Sequence, residues 1–171
     1  MSTPSGQQED LKNSIKIRNA TQDDVNFIFS TWQKTYRHSV KTAGIPSEVY
    51  YSQQHVLIEG LMKTACIIIA CDPKDQSQIY GYLCYDTIEG APVVHFAYVK
   101  KAYRALGIAK LMLNNSTVDI KLPFFITHHT APISRISTEK YVLVYNPYLA
   151  YPAYQAGRDQ AKEYLSAKVD T

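Results

Sequence analysis

A chain of 171 residues, 46% hydrophobic and 19% charged, is long enough for one domain with a substantial core. Its formal net charge of +3 suits an anionic small ligand. It falls far short of the basic stripe of a nucleic-acid binder, and no Lys/Arg-rich run, zinc-finger spacing or aromatic RNA-binding signature occurs. No apolar run approaches the roughly 20 residues that a membrane span needs, and the polar start lacks a targeting pattern, so the expectation is a cytoplasmic protein with neither nucleic-acid nor membrane partners.

Residues 1–13 are polar and read as a solvated tail. Ser14 to Arg18 alternates as a short strand. Thr21, with Asp24 three residues on, resembles a helix start, and Val25, Ile28, Phe29, Trp32 and Tyr36 then fall on one helical face. Gly44 to Glu48 separates this helix from a second, weaker pattern that runs to about Lys63. Ala65 to Cys71, with three consecutive isoleucines, reads as a buried strand. Strands are also expected at Ile79 to Ile88, Val93 to Val99, Phe124 to Thr127 and Tyr141 to Tyr145, with a helix opening at Ile108 and helical composition from Arg158 to Lys168.

Short turns between the middle strands imply antiparallel pairing, and the later crossover helix implies a parallel step. The fold class expected is α+β, a mixed and mostly antiparallel central sheet flanked by helices. Residues 14–156 would form the domain and 157–171 a C-terminal helix or tail. Cys66, Cys71 and Cys84 all sit in apolar runs, too few for a disulfide framework, and are expected as buried core thiols in a reducing setting. Cys66 and Cys71 should lie on opposite faces of their strand, which precludes a shared metal.

The segment from Val93 to Leu113 carries the chemistry. A buried strand runs into a loop with Gly107 at its tight point and then directly into an apolar helix. Such a turn gathers backbone N–H groups at one spot, where the helix adds its own unpaired donors, and Gly107 allows close approach of a phosphate. Arg104, Lys100, Lys101 and Lys110 supply positive charge. Neither a P-loop nor a GxGxxG turn is present.

The pattern Arg104-Ala105-Leu106-Gly107-Ile108-Ala109 resembles the acyl-CoA signature of the GNAT superfamily of N-acetyltransferases, in which Gln or Arg precedes Gly-x-Gly/Ala. The element order from residue 14 onward is similar too. The resemblance implies an acyl-CoA N-acyltransferase-like fold and an enzyme that moves an acetyl group from acetyl-CoA to a primary amine by direct attack. The amine would belong to a small molecule, a lysine or a protein N-terminus. Ala97, Tyr98 and Val99 would pair with pantetheine, while Leu106, Ile108, Ala109 and Lys110 would help to hold the pyrophosphate.

The sequence departs from the family in two places. Val93 stands near the position of a strand Glu in some relatives, leaving His95, placed by alternation on the same face, as the candidate base. The helix that should follow the Phe124 strand is missing or very short, and its Asn-x-x-Ala-x-x-Leu-Tyr pattern is absent. Candidates for the remaining proton work are His128, with its neighbour His129 turned the other way, and Tyr148 and Tyr151 of the Tyr-rich C-terminal quarter. These departures also favour a second expectation, a module that binds CoA or a protein partner without turnover. No metal ligand set is recognisable, and the Tyr-rich stretch offers a surface for a homodimer.

Overall fold

The computed structural model describes residues 13–136 and 142–169. Six strands form one sheet in sequential order: β1 (Lys16–Asn19), β2 (Cys66–Cys71), β3 (Ile79–Ile88), β4 (Ala91–Val99), β5 (Phe124–Ile126) and β6 (Leu143–Tyr145). The first four pair antiparallel; β5 joins β4 in parallel, and β6 joins β5 likewise. The helices are α1 (Val25–Arg37), α2 (Ser47–Thr64), α3 (Ile108–Asn114), α4 (Ala131–Ile136) and α5 (Tyr151–Val169). The α+β class and the antiparallel-then-parallel order expected from connection lengths are both observed.

Alternation along the strands divides the core between the two faces. Ile68, Ala70 and Leu83 pack with Ile108, Met112, Leu113 and Ile133 of α3 and α4. Ile69, Cys71, Tyr82 and Cys84 pack with Ile28, Trp32, Ile58 and Ala153 of α1, α2 and α5. Period-2 side chains on a sheet covered on both sides give this split. The turn from β3 to β4 has two residues, Glu89 and Gly90, both at positive φ (50° and 80°). That geometry matches the twist of a hairpin, and Gly90 adopts it without strain.

Three expectations are corrected. Cys66 is exposed, while Cys71 and Cys84 are buried as expected. Cys66 begins β2 and borders an open cavity beside α1 and α2. The C-terminal helix starts at Tyr151, so it runs unbroken through the boundary expected at residue 157. Gln155, Gly157 and Arg158 interrupt any apolar period there and hide its start from a hydrophobicity reading. Lastly, alternation along β4 is broken. Tyr85 pairs with Val94 but Cys84 pairs with Phe96, which leaves His95 as the extra residue of a β-bulge. Val94, Ala97 and Val99 therefore share one face while Phe96 faces the other, and strict alternation does not by itself fix the face that His95 takes. The Tyr141 end of the last expected strand lies outside the described residues.

Candidate functional site

Between β4 and β5 the ladder covers only Val93 opposite Phe125 and Val94 opposite Ile126, and the amide of Thr127 still donates to the Val94 carbonyl at 3.2 Å. Beyond this point β4 continues to Val99, while the other chain turns off into α4. The strands part, and Phe96 to Val99 have no β5 residue opposite them. On its other side this stretch stays held by β3, with Ala97 opposite Leu83, Tyr98 opposite Tyr82 and Val99 opposite Gly81.

At the exit of β4 the chain makes a turn of 3-10 helix, Lys101–Tyr103, and Tyr103 packs on Tyr80. Arg104 folds back so that its Nε donates to the Val99 carbonyl at 3.0 Å, clamping the base of the loop. Ala105 takes φ 64° and Gly107 takes φ 82°. A non-glycine residue in the left-handed region costs on the order of 1–2 kcal/mol and persists only where its surroundings impose it. Gly107 is the N-cap of α3, and the first bond of that helix runs from the Leu111 amide to the Gly107 carbonyl at 2.9 Å. The amides of Ile108, Ala109 and Lys110 thus precede the first intrahelical donor, Leu111, and have no carbonyl of the helix to bond.

Beside this bend opens a cavity of about 110 Å³, lined on one side by Val99, Arg104, Ala105, Gly107, Ala109 and Lys110 and on the other by Pro132 and Arg135 of α4. Leu106 projects outward, 49% exposed. Arg135 escaped the sequence reading, since nothing in its neighbourhood marks it as facing a loop nearly thirty positions earlier. A larger cavity, about 670 Å³, lies at the other end of the sheet between α1, α2 and the start of β2; Cys66 and Glu59 line it, but none of the expected site residues does.

At the crotch where the strands part lies a buried polar chain. Nδ1 of His95 is 3.0 Å from Oγ1 of Thr127, which is 2.9 Å from Nδ1 of His128. The same hydroxyl lies 3.3 Å from the His95 carbonyl. All three side chains are buried, and Nε2 of His95 has no hydrogen-bond partner among the described residues. Burial lowers the pKa of His95 to about 4 and that of His128 to about 3, the latter with a further push from His95. Both rings are therefore neutral near pH 7.

His128 sits in an aromatic box, with ring centroids 4.7 Å from Tyr36, 5.4 Å from Trp32 and 5.9 Å from Phe96. His129 is exposed and packs on Tyr145, so one neighbour is buried and the other meets solvent. Tyr148 and Tyr151 are 83% and 56% exposed, and Tyr151 stacks on Tyr154. The structure does not bring them into the polar chain, because their helical turn faces outward while Ala150 and Ala153 face the core. The tyrosine at His128 is Tyr36, whose phenol burial holds well above its ordinary pKa. Thr127 and Tyr36 were both missed as site residues. Thr127 reads as the polar end of a strand, and Tyr36 as one more position of an apolar helix face.

Fold and site together describe a mixed sheet split at a parallel strand pair, with a strand–turn–helix bend beside Arg104, Lys110 and Arg135 at one end of the split and paired imidazoles at the other. The sequence matches no family model and no curated protein. Among solved structures it is similar to a GNAT-family acetyltransferase of Staphylococcus aureus, with 16% identity over 60% of this chain and 62% of that one and a TM-score of 0.42. A proposed acetyltransferase of Pyrococcus furiosus is 17% identical over 80% and 88% of the two chains, with a TM-score of 0.47. The PaiA N-acetyltransferase of Thermoplasma acidophilum, solved in complex with coenzyme A, is 18% identical over 60% and 69%, with a TM-score of 0.42. The chain thus spans about three-fifths of the length of the first of these. No helix among the described residues is long and apolar enough to cross a membrane.

Proposed function

We propose that this protein is an N-acetyltransferase that moves an acetyl group from acetyl-CoA to a primary amine. The observation that carries the reading is the open cavity against the left-handed Gly107 bend, continuous in the chain with the strand that parts from β5. The pyrophosphate would lie on the amides of Ile108, Ala109 and Lys110, with charge from Arg104, Lys110 and Arg135. Pantetheine would run along Ala97, Tyr98 and Val99, whose β5 side is free of strand partners, and this leads the thioester toward His95 at the bulge.

Transfer itself asks for positioning and for management of one proton. Attack makes the amine nitrogen cationic and therefore acidic, so a neutral buried imidazole of low basicity suffices to accept its proton. The amine would approach from the α1 side, past Trp32, Tyr36 and His128. A second reading, a CoA-binding module without turnover, is favoured by the near-complete burial of His95 and the outward position of Tyr148 and Tyr151.

The test is thermal stabilisation by CoA followed by thiol release with a panel of small amines, peptides and proteins. Gly107→Glu puts bulk and negative charge where phosphate belongs and should abolish CoA-dependent stabilisation in a folded protein. Undiminished CoA affinity in that variant would overturn the cradle. Stabilisation without thiol release on any acceptor would support the module.

A further inference from the structure

One hydrogen must serve too many acceptors at Thr127. The Nδ1 atoms of His95 and His128 both lie within hydrogen-bond distance of the same hydroxyl oxygen, at 3.0 and 2.9 Å. A neutral imidazole carries one N–H, on either Nδ1 or Nε2, and threonine carries one O–H. The hydroxyl can donate to one Nδ1 at most, and its other available acceptor is the His95 carbonyl at 3.3 Å. Whichever way it turns, at least one ring must donate from Nδ1, and that ring presents a bare Nε2. Two rings that both carry hydrogen on Nε2 would leave a buried nitrogen facing a buried oxygen with no hydrogen between them, which costs about 1–3 kcal/mol.

From this we infer that Thr127 is a positioning residue that holds at least one of the His95–His128 pair in the Nδ1–H form, keeping a bare Nε2 in the crotch of the parted strands as proton acceptor. His95 offers the better-placed atom, since its Nε2 is buried and has no hydrogen-bond partner among the described residues. This inference rests on the transferase reading for its chemical consequence. As the amine nitrogen bonds to the thioester carbon, its proton passes to the bare Nε2. As the C–S bond breaks, the departing thiolate takes that proton back, and the ring returns to its starting form. No oxidant or further reactant enters. The fixed orientation also explains why a threonine, rather than an apolar residue, occupies a buried position at the end of β5.

The tautomers are read directly by long-range ¹H–¹⁵N correlation spectra of the protein labelled at histidine, assigned with His95→Gln and His128→Gln. At least one of the two rings in the wild type should show the Nδ1–H pattern. Two Nε2–H rings would overturn the inference without need of any variant. Thr127→Val should release the constraint and lower kcat roughly ten- to a hundredfold with the acetyl-CoA KM unchanged. Thr127→Ser should restore both the tautomer and the rate. An unchanged kcat in a folded Thr127→Val would also overturn the inference. A wild type that shows the Nδ1–H ring and binds CoA, yet releases thiol with no amine, sinks the transfer step alone and leaves the tautomer assignment supported.

Discussion

Single residues matter most where they are buried and polar. Arg18 grips Asp24 with two bonds, at 2.7 and 2.9 Å, and Asp24 also accepts the amide of Thr21 at 2.7 Å. The Arg18 guanidinium, with help from Thr21, holds the Asp24 carboxyl below its ordinary pKa. The pair is shielded, with side-chain exposures of 15% and 5%, so it differs from a surface ion pair. Asp24→Asn leaves the guanidinium without its countercharge and should cost about 2–4 kcal/mol, measured by urea unfolding. A loss below about 0.5 kcal/mol would mean that the pair is solvated like a surface one. Sequence pointed to Asp24 only as a helix-start acid; its partner six residues earlier came from the way β1 runs into α1.

Elements meet closely where a side chain is missing. A Cβ on Gly60 would collide with the Ala153 carbonyl, and one on Gly157 with the Val56 carbonyl. These two glycines let α2 and α5 pack backbone against backbone, and this contact makes α5 part of the domain instead of a tail. Neither glycine is an ordinary helix choice, since each costs about 1 kcal/mol against alanine. Gly157→Ala should nonetheless destabilise, by about 1–3 kcal/mol, because overpacking outweighs the propensity gain. A higher Tm in Gly157→Ala would show that the helices part easily. The strand and helix order was legible from periodicity because each strand has a distinct β-branched or aromatic run. The helix pairing was not, because a glycine signals nothing about its neighbour until the fold brings one.

Across the whole molecule, the two buried imidazoles link stability to pH. Folded, they titrate at about 4 and about 3; unfolded, near the ordinary value of 6.5. Between these values the unfolded chain binds protons that the folded chain refuses. Their contribution is therefore fully present above about pH 6.5 and is lost as pH falls through that window. The loss from His95 alone is on the order of 3 kcal/mol. Unfolding free energy measured from pH 7.5 to 4 should decline steadily below about 6.5, and a flat profile would mean that the rings are open to solvent.

The amino-acid sequence by itself determined the order of strands and helices, the antiparallel-then-parallel sheet and the Gly107 turn, because periodicity, turn chemistry and a left-handed bend are properties of neighbours along the chain. Only the tertiary structure decided that His95 is a bulge residue, that Thr127 joins it to His128, that Arg135 faces the loop, and that Tyr148 and Tyr151 face outward. Those facts depend on register and on which distant groups share a buried volume. A local pattern cannot encode an extra residue within a paired strand, yet that bulge falls at the side chain on which the site turns.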